Sequence, residues 1–143
     1  MKDWQKQKFY RFETAMIKRF LPSSLEDGLG LDESRQLVEH ICRSYGVSAP
    51  TVVKGRANAK RAYYQSAGHK IVLPPWAQRD WVVVHETAHA IVRAKGFDDP
   101  GHGESFVRVW MQLWSRMYDV PLSALEQQAN LHGIGYAPDR LLA

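Results

Sequence analysis

A single cysteine, Cys42, stands among 143 residues, which excludes an internal disulfide and any zinc site built on pairs of cysteines. No apolar run approaches the roughly 20 residues that span a bilayer. Residues 1–20 alternate charged and aromatic side chains where a secretory leader would carry an uninterrupted apolar stretch. A cytoplasmic, reducing location and no membrane contact are the expectations that follow. Repeats and low-complexity tracts are missing as well, so neither a solenoid nor a disordered tether is expected. Neither sign of charge dominates: 19 Lys and Arg against 15 Asp and Glu leave a net +4. That balance lacks the basic footprint of a nucleic-acid reader. Lys54, Arg56, Lys60 and Arg61 read first as a solvated loop, and nucleic acid is kept only as a secondary partner. With 45% hydrophobic residues, the chain has enough apolar material for one core, and a single domain over residues 1–143 is expected.

What is present is concentrated in His85-Glu86-Thr87-Ala88-His89. Two histidines four apart on a helix are separated by about 6 Å of rise and a little more than one turn, so both project from one face and can share a metal ion. Glu86 lies between them, placed to take a proton from a metal-activated water as a general base. Residues 80–95 contain no Gly or Pro, and Trp81, Val84, Ala88 and Ile91 recur at helical spacing. Gly96 supplies the stop. Two ordinary histidines on so apolar a helix would each need a separate polar partner, whereas one metal satisfies both.

A zinc ion that does chemistry takes three protein ligands and keeps one position open. His102, in Pro100-Gly101-His102-Gly103-Glu104-Ser105-Phe106, is the strongest candidate for the third, because flanking glycines let the backbone approach closely. The alternative is a histidine that merely opens the helix running from about residue 103 to 118. Glu104 is the rival ligand, although a negative charge at a helix N-terminus is already explained by the dipole.

The surrounding pattern is α+β. Phe9, Phe12, Met16 and Phe20 mark one face of a first helix that stops by Pro22. A link over 23–30 leads to a second helix with Asp32 as N-cap and Gly46 at its close. Leu37, Val38, Ile41, Cys42 and Tyr45 read as its buried face. Residues 51–53 read as a strand, and 62–66 with 69–73 as a hairpin ended by Pro74-Pro75. A last helix is expected from about 121 to 131, then an irregular tail over 133–138. The hairpin is either a plain structural sheet or an edge to which an extended substrate adds as a strand. Tyr63, Tyr64, His69, His132 and Tyr136 are candidates to stabilise an oxyanion, with ordinary packing as the competing role for each.

His85-Glu86-Thr87-Ala88-His89, a short loop, and then His102-Gly103-Glu104-Ser105-Phe106 resembles SprT-like and WLM-type zinc metallopeptidase domains over about residues 62–114. Small single-domain metallohydrolases of unassigned substrate are similar along more of the chain, including Asp3-Trp4-Gln5-Lys6-Gln7-Lys8-Phe9-Tyr10. The resemblance implies a zincin-like fold, zinc on His85, His89 and His102, Glu86 as catalytic base, and a peptide or protein as substrate. It does not carry over DNA repair: SprT-like proteins that act on DNA-linked proteins commonly add a zinc ribbon, and one cysteine cannot build it. The expectation is therefore a zinc-dependent metallopeptidase. The alternatives are a non-catalytic zinc-containing interaction protein or a nucleic-acid-binding module on a peptidase-like scaffold.

Overall fold

The computed structural model describes residues 2–21 and 28–139; the expected stop at Pro22 and residues 23–27 of the expected link lie outside them. In chain order the elements are α1 (Lys6–Phe20), α2 (Gly30–Ser44), β1 (Thr51–Lys54), β2 (Tyr63–Gln65), β3 (Lys70–Leu73), α3 (Asp80–Ala94), α4 (Glu104–Tyr118) and α5 (Leu122–Leu131). Among the described residues this is an α+β chain with five helices and one three-stranded sheet. It divides into two compact units, Glu26–Gly96 and Met1–Leu25 with Phe97–Ala143.

In the unit Glu26–Gly96, β3 is the central strand, parallel to β1 and antiparallel to β2. The connection from β1 to its parallel neighbour contains β2, so one short excursion supplies both the crossover and the second edge. Ile71 and Leu73 are fully buried and join Val38, Cys42, Val52, Ala77, Val82 and Val83 in one apolar cluster. Helix α2 buries Val38, Ile41 and Cys42 as its periodicity requires, and Gly46 closes it at a φ of +66°, a conformation that suits a residue without Cβ. The expected N-cap at Asp32 is corrected. The helix already starts at Gly30, with Leu31 packed against the apolar cluster, and Asp32 sits exposed in the first turn, 3.0 Å from Arg35.

Helix α3 follows a short 3-10 turn at Pro75–Ala77. It buries Val82 through Ala88 and Ala90 through Val92, nearly its whole circumference, as expected for a helix inside a core rather than on its surface. Asp80 occupies its first turn and Gly96, at φ +77°, lies just past its end.

In the other unit, α1 presents Phe9, Phe12, Met16 and Ile17 to the interior. The expected face included Phe20 in place of Ile17. Phe20 is the last residue of the helix and only half-buried. Phe9 meets Phe106 and Trp110 of α4 edge-on, at ring-centroid distances of 5.1 and 5.2 Å, a favoured geometry for quadrupolar rings. The buried Glu13 carboxylate accepts from Trp110 Nε1 at 3.2 Å. The tail after α5 is irregular, as expected, but tied down: Ala137 N donates to Glu104 O, and the buried Arg108 Nε donates to Ala137 O.

Candidate metal centre

Positions 85 and 89 lie one turn apart on α3, and their imidazole centroids stand 5.2 Å from each other. His85 is buried and His89 half-buried. The intervening Thr87 is turned away from this pair in function, its hydroxyl donating to Val83 O at 2.6 Å. Glu86 is 7% exposed, so its carboxylate is largely withdrawn from bulk water, and its Oε2 lies 3.9 Å from His85 Nε2. That separation exceeds a hydrogen bond. The carboxylate therefore stands beside the histidine nitrogen at a separation that a single bridging group can span.

His102 is supported quite differently. Its imidazole is enclosed by three rings: Phe9 stacked at 5.7 Å, Tyr10 tilted at 5.0 Å and Phe106 edge-on at 4.9 Å. Asp3 accepts twice from this residue, at 3.1 Å from the backbone N–H and at 2.7 Å from Nδ1. The fully buried Gln5 donates to His102 O at 2.8 Å and, through its Oε1, accepts from Gly135 N. Its amide thus joins the His102 loop to the tail. Asp99 closes the loop by accepting from the N–H and hydroxyl of Ser105, the second residue of α4, and so satisfies one of the backbone donors in the first turn of that helix.

The ligating nitrogens offered by His85, His89 and His102 all lie within 4.8 Å of one another. Donors about 2.0–2.1 Å from a tetrahedral ion stand about 3.3 Å apart, so the observed spread is of the scale that one ion requires. Three imidazoles are also the donor type that borderline ions such as zinc accept. The three histidines are therefore close enough to hold a metal ion. Glu104, the rival ligand, does not belong to this group; it is the first residue of α4.

The remaining sequence candidates have local partners. Tyr64 Oη and His69 Nδ1 are 2.9 Å apart, and His69 Nε2 is 2.9 Å from Ser48 O. Burial raises the Tyr64 phenol above its ordinary range, the positive Arg93 partly offsets this, and Cys42 adds to it. Tyr136 donates to Asn130 and lies under the Arg108 guanidinium, while His132 packs edge-on against Phe12. Tyr63 is exposed on β2, beside an open groove of about 540 Å³ lined by Ala59, Lys60, Arg61, Tyr63, Tyr64 and Gln65. Lys54, Arg56, Lys60 and Arg61 are all exposed, as expected of a solvated segment.

Asp3 and Gln5 were not among the residues expected at the site. The only sequence signal pointing to them is that the segment beginning at Asp3 belongs to the wider resemblance with small metallohydrolases. Comparison of the chain with family models, curated proteins and solved structures finds no match. No helix among the described residues is long and apolar enough to cross a membrane.

Proposed function

We propose that this protein is a zinc-dependent hydrolase, most specifically a metallopeptidase of zincin-like type that cleaves peptide bonds. The observation that carries the reading is the convergence of three imidazole donors within 4.8 Å, with a shielded carboxylate from the same helix beside them. Resemblance of the 85–89 and 102–106 segments to SprT-like and WLM-type domains supports the same class. A zinc ion bound by His85, His89 and His102 would supply Lewis acidity, polarising a substrate carbonyl and acidifying water.

The chain's own residues would do the rest. Glu86 takes the proton from the attacking water and returns it to the leaving amine, a role that suits a carboxylate buried enough to be weakly hydrated yet beside the donor nitrogens. An extended peptide would be held by adding a strand to β2, which lies at the edge of the sheet and leaves one side of its backbone for such pairing.

Elemental analysis of the purified protein, set beside Glu86→Gln, tests the reading. About one zinc per chain is expected in both proteins, with cleavage of unstructured protein substrates lowered by about 10²–10⁴-fold in the variant. Full activity in Glu86→Gln would remove the general-base assignment. Stoichiometric zinc without cleavage of any peptide or protein substrate would favour a structural metal in an interaction protein.

A further inference from the structure

Resting on the metal-site reading, we infer that Asp3 is a positioning residue: its carboxylate, by accepting the Nδ1 proton of His102, commits the opposite nitrogen, Nε2, to the metal. A neutral imidazole carries one proton on either nitrogen, and only the unprotonated one ligates. In isolation both tautomers are populated. A carboxylate oxygen 2.7 Å from Nδ1 selects the form with the proton on that nitrogen and makes Nε2 a stronger donor.

Four further features show that this contact is built rather than incidental. The same carboxylate also accepts from the His102 backbone N–H, so it holds the residue at two points and fixes the ring's direction as well as its tautomer. Gly101, at φ +35°, makes room for it: a Cβ there would collide with the Asp3 carboxylate. Gln5, two residues along, is fully buried and anchors the same segment through His102 O and Gly135. The Phe9, Tyr10 and Phe106 rings restrict where the imidazole can turn. Within this unit the chain thus orients His102 with a partner 99 residues earlier.

Two measurements test the inference, one of which needs no metal. Nitrogen NMR of the histidine rings in the metal-free protein, at mildly alkaline pH, should show His102 as the Nδ1–H tautomer in the wild type and a mixture in Asp3→Ala. An Nε2–H tautomer in the wild type, or an unchanged one in the variant, overturns it. Zinc affinity by chelator competition should fall about 10–100-fold in Asp3→Ala and less in Asp3→Asn, whose amide oxygen can still accept the proton. In a His102→Ala background the Asp3→Ala effect should vanish, because a residue acting through His102 has nothing left to act on. An undiminished effect in that background would make Asp3 a general stabiliser instead. If wild-type protein binds no zinc while the tautomer result holds, the metal reading fails and the orientation of His102 by Asp3 stands by itself.

Discussion

His85 and His89 hang from a helix, whereas His102 hangs from a loop, and the two supports hold an imidazole by different physics. On α3 the backbone ladder sets the spacing of the pair, and burial of ten of its residues keeps that ladder in place; no side chain has to be arranged for the two rings to face the same way. The loop has no such ladder. His102 is oriented instead by a carboxylate, a buried amide and three aromatic rings. A ligand on a helix is inexpensive to position and tolerant of its neighbours, while a ligand on a loop is as well placed as the contacts around it.

Truncating the histidines themselves should sharpen this contrast most. His89→Ala and His102→Ala should each weaken zinc binding by roughly 100-fold or more, since each removes one of three donors. Their metal-free forms should part company. His89→Ala puts a strong helix former on a half-buried helical position and should change stability by less than about 1 kcal/mol. His102→Ala empties the space between three rings and takes the Nδ1 partner from the Asp3 carboxylate, so it should cost about 2–3 kcal/mol. Urea midpoints of the two metal-free variants decide the matter, and equal losses would erase the distinction between the supports.

A smaller effect is expected from the loop backbone. Gly101→Ala puts a side chain at a positive φ and into the Asp3 carboxylate. It should cost about 1 kcal/mol of stability and weaken zinc binding about 10-fold, in step with the Asp3 variants. Chelator competition that found wild-type affinity in this variant would show that the Asp3 contact is not needed to hold His102.

An effect that leaves the three histidines untouched lies within the unit that carries α3. Burial pushes the Cys42 thiol from 9.0 up to about 11. The folded protein keeps this proton where the unfolded chain releases it, so the contribution is full below pH 9 and is lost as pH rises towards 11. Stability should therefore fall more steeply over that window in the wild type than in Cys42→Ala. Parallel slopes in the two proteins would mean that the thiol titrates normally in the fold.

Legibility in the sequence followed the same division. Helix α3, its stop at Gly96, the hairpin and the buried face of α2 all follow from periodicity and from glycine and proline punctuation, which act over a few neighbouring residues. His102 was legible as a candidate because its two glycines and the following apolar helix mark a loop that approaches something closely. Preferring His102 to Glu104 rested on those glycines and on the family resemblance, since both residue types ligate metals and they are two positions apart. Asp32 shows a local rule overridden: a good capping residue was passed over because burying Leu31 favoured an earlier start. Asp3 and Gln5 carry no local signature at all. A polar residue near the start of an amphipathic helix looks the same whether it faces water or a backbone carbonyl 97 residues away.

By itself the sequence determined that two imidazoles project from one helix face with a carboxylate one position after the first of them, because residue spacing and helical geometry set those directions. It also determined that no cysteine cluster could replace them. Only the tertiary structure decided that His102 rather than Glu104 joins the pair, and that Asp3 bonds to its Nδ1. Those outcomes depend on hydrogen bonds and ring contacts between segments far apart in the chain, whose formation is set by the packing of the whole unit and leaves no periodic trace in the residues that make them.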